Sequence, residues 1–167
     1  AILMLPWNTF LLQSIGDQQS DDVFVVQPDF TRPGEIHDLA LLRLNTSTGI
    51  SRTVAQPAGT RNWLFDKQGQ LRIAQAPDGG NEVTYYRDSA EAPWRVLARF
   101  DAYHGGKDAF SPAFFAPDGT LYVHARHGSD KQALYRYDLE KNRIDDTPLA
   151  ASADFDVHAE MLGANDR

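Results

Sequence analysis

The stretch APDGTLYVHARHGSDKQALYRYDLEKN, residues 116–142, predicts a strand, a tight turn, a second strand, a loop and a third strand. The stretch DKQGQLRIAQAPDGGNEVTYYRDS, residues 66–89, has the same pattern earlier in the chain. Five pairs of identical residues are separated by 50 positions with no gap, namely Phe65 and Phe115, Gly69 and Gly119, Leu71 and Leu121, Tyr85 and Tyr135, and Asp88 and Asp138. The chain therefore contains an internal repeat.

The matched residues have the chemistry that a repeated β-unit needs. A glycine ends each polar turn, where it can take a positive φ, and a leucine opens the following strand. Leu71 and Leu121 should therefore hold equivalent places, and so should Tyr85 and Tyr135. A looser third copy lies upstream at LLRLN, residues 41–45. A period near 50 residues built from strands is typical of β-propeller blades.

Short runs rich in β-branched and aromatic residues, bounded by Gly, Pro, Asp or Asn, follow one another along the chain. They predict an all-β fold of three four-stranded antiparallel blades at about 9–56, 62–100 and 112–151, with 146–151 as the last strand. Residues 153–162 are predicted to start a fourth blade as a strand, although a short helix was the alternative there. Since closed propellers have about 4–8 blades, we expect a single partial propeller domain from a longer protein.

The composition excludes several classes of partner. The 167 residues carry a formal net charge of −7, which argues against nucleic acid and anionic membranes. There is no cysteine, so disulfides, thiolate metal sites and a cysteine nucleophile are excluded. The apolar stretch at residues 1–7 is far shorter than the ~20 residues of a membrane-spanning helix. A soluble protein of the bacterial cytoplasm or periplasm fits this composition.

Three segments carry a resemblance to a known family. They are D-x-x-G-x-L-R at 66–72, YYRD at 85–88 and APWRVLARF at 92–100, and residues 110–142 and 153–162 continue in the same manner. Together they resemble the N-terminal β-propeller of prolyl oligopeptidase family serine peptidases, in particular the bacterial dipeptidyl and acylaminoacyl peptidases. The resemblance is clearest over residues 60–160.

The resemblance implies a propeller that caps a C-terminal α/β-hydrolase domain and admits only short or unfolded peptides. The nucleophile of such a domain stands in Gly-x-Ser-x-Gly. Ser51 has Gly49 before it but Thr53 after it, and no serine of this chain has both glycines. We therefore predict no catalytic residue and no cofactor here, and no hydrolysis of peptides or esters by this chain alone.

Two other functions stay open on the sequence. One is a stand-alone propeller that recognises a ligand or protein partner on its rim. The other is an independent propeller enzyme, such as a lactonase or glycosidase, for which the chain offers no convincing set of acidic residues or histidines. Because end blades leave an apolar face uncovered, we also expect the chain by itself to form a homodimer that closes the ring.

Several motifs suggest metal sites but have a simpler explanation. His124 and His127 should lie on opposite faces of an exposed strand end, so we predict no metal there. The H-x-E motif at 158–160 lacks the cysteines of a zinc deaminase. Asp154 and Asp156 lack the further oxygen ligands of a calcium loop. We predict no metal site in this chain.

Three further features concern loops and core. The segment AYHGGKDAFSP, 102–112, is predicted to be a connector between blades rather than a binding loop, although its Tyr, His, Lys and Asp make it the best binding candidate. Trp63 and Trp94 are predicted to pack between blades. The NTS sequence at 45–47 fits a glycosylation site but lies on a predicted hairpin turn.

Overall fold

The computed structural model describes residues 4–15, 20–32 and 35–159. Within these ranges the chain forms twelve β-strands and no helix, arranged as three four-stranded antiparallel sheets. A helix that could cross a membrane is accordingly not found in the described part of the chain. The predicted all-β fold of three four-stranded units is confirmed.

In every sheet the strands follow one another in chain order, so each pairs with its neighbour through a hairpin. The first sheet contains β1 (Phe10–Ser14), β2 (Asp22–Arg32), β3 (Glu35–Asn45) and β4 (Ser51–Thr53). The second contains β5 (Asn62–Phe65), β6 (Leu71–Asp78), β7 (Asn81–Tyr86) and β8 (Arg95–Asp101). The third contains β9 (Phe110–Phe115), β10 (Leu121–Ala125), β11 (Ala133–Asp138) and β12 (Arg143–Ile144).

The repeat predicted from the sequence has a structural counterpart. Leu71 opens β6 and Leu121 opens β10, and their side chains are 2% and 0% exposed. Each leucine follows a turn that ends in a glycine with positive φ, 71° at Gly69 and 85° at Gly119. The predicted equivalence of the two leucines is confirmed.

The two tyrosines of the repeat also occupy matching positions. Tyr85 lies on β7 opposite Ala74, and Tyr135 lies on β11 opposite Val123, so each is on the third strand of its sheet. Tyr135 is buried against the second sheet, whereas Tyr85 is half-buried. The predicted equivalence is confirmed for the strand but not for the exact pairing, because the partners Ala74 and Val123 are 49 positions apart, one fewer than the repeat.

The sheets pack face to face through two apolar cores. One core lies between the first and second sheets and includes Ile15, Phe24, Leu41 and Leu71. The other lies between the second and third sheets and includes Ile73, Tyr86, Leu97, Phe115, Leu121, Val123, Tyr135 and Tyr137. The second sheet is therefore covered on both faces, which is how stacked blades bury surfaces that one blade cannot bury alone.

Trp63 and Trp94 both pack against the core between the first and second sheets, as predicted. The indole N–H of Trp63 donates to Oε1 of Gln56 at 2.6 Å. The guanidinium of Arg87 lies 4.5 Å from the centre of the Trp94 ring. Arg87 is 5% exposed, and its Nε donates to the carbonyl of Leu71, so burial lowers its pKa while the hydrogen bond satisfies the charge.

A β-bulge at Arg72 builds a polar network into the second sheet. The pairing of β5 with β6 steps from Leu64–Ile73 to Phe65–Leu71, which leaves Arg72 as the extra residue. Its guanidinium bonds Oδ2 of Asp66 at 3.1 Å, the Tyr86 hydroxyl at 2.7 Å and the Arg87 carbonyl at 2.9 Å. Bulges of this kind redirect a side chain out of the regular alternation.

The end of the third sheet differs from the sequence prediction. The last strand was predicted at 146–151, but β12 is Arg143–Ile144, and within 146–151 only Ala150 makes an isolated bridge, to Leu134. The physical reason lies in residues 145–148, because aspartate disfavours strands and Pro148 has no N–H for the ladder. The prediction for this strand was wrong.

The segment 151–159 forms neither strand nor helix, and residues 160–162 lie outside the described residues. Residues 151–159 lie against the third sheet instead. The Val157 N–H donates to the carbonyl of Gln132 at 2.9 Å, and the Gln132 N–H donates to Oδ1 of Asp156 at 2.7 Å. The strand predicted at 153–162 is therefore wrong over 153–159, because hydrogen bonds to Gln132 hold this segment against the third sheet as a loop. A fourth blade that begins in this region stays a prediction.

Gly69 and Gly119 allow a matched test of how the turns pack. A Cβ at Gly69 would lie 2.6 Å from Cγ2 of Ile15, whereas a Cβ at Gly119 would meet nothing within 4 Å. We expect Gly119→Ala to lower the free energy of unfolding by about 1–2 kcal/mol through its left-handed φ. Gly69→Ala should cost about 1 kcal/mol more, because Ile15 must also move. Equal losses in urea denaturation would show that the turn does not pack against the first sheet.

Candidate functional site

A groove of about 410 Å³ lies between the second and third sheets. Its apolar floor contains three aromatic rings from both sheets. Phe100 and Phe110 meet edge to face at 5.3 Å, and Phe110 lies 4.8 Å from Tyr137. The volume falls in the range of pockets that take small ligands or single side chains.

Two polar side chains that line the groove, Tyr137 and Asn142, form hydrogen bonds within the chain. The Tyr137 hydroxyl donates to Oδ1 of Asn142 at 3.2 Å, and Nδ2 of Asn142 donates to the carbonyl of Leu97 at 3.3 Å. Burial raises the pKa of Tyr137 to about 12, so the phenol is neutral near pH 7. Asn142 has a φ of 55°, a conformation that asparagine tolerates better than most residues.

The rim of the groove carries charges without protein partners. Asp108, Arg143 and Asp146 line the groove and are exposed. Within residues 4–15, 20–32 and 35–159, none of these three side chains takes part in a hydrogen bond or an ion pair. These three residues are two carboxylates and one guanidinium, so together they carry a net negative charge. Such a rim above aromatic faces favours a positively charged group.

Asp108 belongs to the connector 102–112, which is more ordered than a plain linker. Oδ1 of Asp101 accepts hydrogen bonds from the backbone N–H groups of His104 and Tyr103, and it lies 3.0 Å from Nδ1 of His104. The bond from the His104 backbone contributes most to lowering the pKa of Asp101. The connector thus joins two sheets as predicted and also supplies one residue of the groove.

A second concave surface lies where the first strands of the sheets approach one another. β5 and β9 are in contact, and a cavity of about 250 Å³ is lined by residues of β1, of β9 and of the segment 64–67. Gln13, Lys67 and Phe114 are among its lining residues. In a propeller the blades surround a central channel.

The two histidines of HARH lie on different kinds of element. His124 is on β10, where Nε2 accepts a hydrogen bond from the Ala159 N–H at 2.9 Å. His127 follows β10 in a turn with φ of 45°, and its ring packs 5.4 Å from Tyr135. Both residues are half-buried, so the predicted exposure of this strand end was wrong, because segment 149–159 and Tyr135 cover them.

The other motifs make structural contacts. Asp156 caps the Gln132 N–H, and His158 lies 5.6 Å from the ring of His124, while residue 160 of the H-x-E motif is outside the described residues. Asn45 closes the predicted hairpin turn, with Oδ1 accepting from the Thr48 N–H at 2.8 Å. Over the described residues, no group of three or more His, Asp or Glu side chains is placed to hold a metal ion.

Comparison with known proteins gives a match in structure only. Neither the protein-family models nor the sequences of curated proteins match this chain. The β-propeller domain of the Trilobed protease from Pyrococcus furiosus, which has an open velcro topology, superposes with a TM-score of 0.53 and 8% identity. The match covers 83% of this chain and 41% of that chain.

A second solved structure, TolB from Acinetobacter baumannii, superposes with a TM-score of 0.52 and 17% identity. The superposed region covers 79% of this chain and 30% of the TolB chain. This chain thus spans less than half the length of either protein. Since the first of these matches is a β-propeller domain, the fold implied by the sequence resemblance is confirmed. The chain folds as part of a β-propeller.

Proposed function

We propose that this chain is the non-catalytic propeller portion of a serine peptidase of the prolyl oligopeptidase type. In the whole protein it would restrict the access of peptides to a hydrolase domain that lies outside these 167 residues. The observation that carries the proposal is the fold shared with the propeller of the Trilobed protease. This structural match supports the sequence resemblance independently of the sequence motifs.

The physical basis is a stiff stack with a concave inner side. Two continuous cores hold the three sheets, so the first strands keep fixed positions around the inner cavity. A wall of this kind excludes folded proteins by size and needs no catalytic group. As part of the proposal, blades at about 9–56, 62–100 and 112–151 form one partial domain, and 153–162 begins the next blade.

The test compares the chain with the protein from which it comes. We expect the pure 167-residue chain to hydrolyse no aminoacyl or dipeptidyl chromogenic substrate. The parent should carry Gly-x-Ser-x-Gly and show turnover that a serine-directed inhibitor abolishes. Removing this propeller portion from the parent should let it cleave larger, folded substrates. Inhibitor-sensitive turnover by the chain alone, or a parent without Gly-x-Ser-x-Gly, would contradict the proposal.

A second candidate is a propeller that binds a ligand or partner and has no peptidase attached. The aromatic groove favours this candidate, because the charges on its rim have no ion pair with any residue that the structure describes. The sequence of the parent separates the two candidates, because only the peptidase needs a nucleophile elbow.

We also propose that the isolated chain forms a homodimer. On the face of the third sheet turned away from the second, Phe114 and Tyr122 stack at 5.1 Å and are only half-buried. A second copy could cover these rings as a further blade would. Light scattering on the size-exclusion peak decides this, and a mass of 18.6 kDa at micromolar concentration would contradict it.

A further inference from the structure

We propose that the groove between the second and third sheets binds an alkylammonium or guanidinium group, such as the side chain of a lysine or arginine in a peptide or protein. The inference concerns binding by this chain itself, so it does not depend on an attached hydrolase. It rests on the aromatic floor, the charges of the rim and the size of the groove.

The floor offers aromatic surface of the kind that attracts cations. Phe100 and Phe110 are half-buried and can offer ring surface to a ligand, whereas Tyr137 is 4% exposed and packs against Phe110 from the core. Aromatic faces carry partial negative charge and attract ammonium and guanidinium groups. The apolar rings also suit the methylene stem of a lysine or arginine side chain.

The rim supplies the charge complementarity. The carboxylates of Asp108 and Asp146 have no hydrogen bond or ion pair elsewhere in the described part of the chain. A cation on the aromatic floor would give them a partner. Arg143 lies on the same rim and would repel it. Removing either carboxylate should therefore weaken the binding of a cation, and removing Arg143 should strengthen it. For an anionic ligand both effects would be reversed.

The size of the groove limits the ligand to one side chain or a small amine. About 410 Å³ is near the lower end of the range for small-molecule pockets. The hydrogen bonds of Tyr137 and Asn142 are made within the chain, so the charged contacts left for a ligand are at the rim. His127 also lines the groove, and its Nδ1 has no hydrogen-bond partner within the described residues, so this residue can contact a ligand as well. This arrangement fits an extended side chain that enters with its charged end near the carboxylates.

The test is an NMR-monitored titration of the full chain at low salt. Four capped probes are compared, namely Nα-acetyl-lysine amide, Nα-acetyl-arginine amide, neutral Nα-acetyl-norleucine amide and anionic Nα-acetyl-glutamate amide. We expect the two cationic probes to bind about fivefold or more tightly than norleucine. Shifts should be concentrated at Phe100, Phe110 and Tyr137, and salt should weaken binding.

Variants identify the side chains that bind the cationic probes. Asp108→Asn and Asp146→Asn should each weaken binding of the lysine probe about threefold, whereas Arg143→Gln should strengthen it. Asp29→Asn, at an exposed position of the first sheet, is the matched control and should leave the affinity for the lysine probe unchanged. The proposal is overturned if the norleucine probe binds as tightly as the lysine probe, or if the glutamate probe binds more tightly than the lysine probe. It is also overturned if the cationic probes cause no chemical-shift changes at tens of millimolar, or if Asp108→Asn binds the lysine probe as tightly as Asp29→Asn does.

Discussion

Replacing Arg72 with methionine is expected to lower the free energy of unfolding by about 3–5 kcal/mol. The Arg72 side chain is 14% exposed and that of Asp66 is 6% exposed, so the change leaves a buried carboxylate without its cation. The Tyr86 hydroxyl and the Arg87 carbonyl lose a donor as well. Urea denaturation followed by circular dichroism measures the loss.

The control is Arg99→Met in the same sheet. Arg99 pairs with Asp78 at 2.7 Å, but the two side chains are 46% and 58% exposed, so the expected loss is below about 1 kcal/mol. A second variant, Asp66→Asn combined with Arg72→Met, removes the buried charge and should recover part of the stability. If Arg72→Met costs no more than Arg99→Met, the buried network does not stabilise the second sheet.

Leu121→Ala is expected to lower the free energy of unfolding by about 3–5 kcal/mol. The side chain is 0% exposed and belongs to the core that joins the second and third sheets. Its removal leaves a cavity that neighbouring strands cannot fill without losing their hydrogen-bond register. Leu149→Ala, at a side chain that is 62% exposed, should change stability by less than about 0.5 kcal/mol. Similar losses for both would show that Leu121 does not hold the two sheets together.

The repeated part of the fold could be predicted from the sequence because its signals are local. A turn that ends in glycine followed by a leucine fixes the start of a strand, and the spacing of Leu71 and Leu121 showed that the unit recurs. The prediction failed at the last strand of the third sheet. There Pro148 lies within an apolar run that otherwise resembles a strand, and the pairing moved to Arg143–Ile144.

The Arg72 network and the groove were missed because they depend on contacts between distant residues. The 50-residue repeat places Tyr122 where the second unit has Arg72, so the comparison of units gives no signal for the network. Phe100 and Tyr137 are far apart in the chain and come together only because two sheets stack. The sequence did mark the connector that supplies Asp108, through its mixture of charged and aromatic residues.

The short outermost strands have a consequence for aggregation. β4 has three residues and β12 has two, so each outermost strand itself offers little backbone with which a foreign strand could pair. The longer β8 carries Arg95 and Arg99, and charged residues on an edge strand oppose pairing with a foreign strand. Growth of sheets from one molecule to the next is therefore hindered along this edge. In the proposed homodimer, association would instead use the broad faces of the end sheets, where contact is limited in extent and cannot propagate strand by strand.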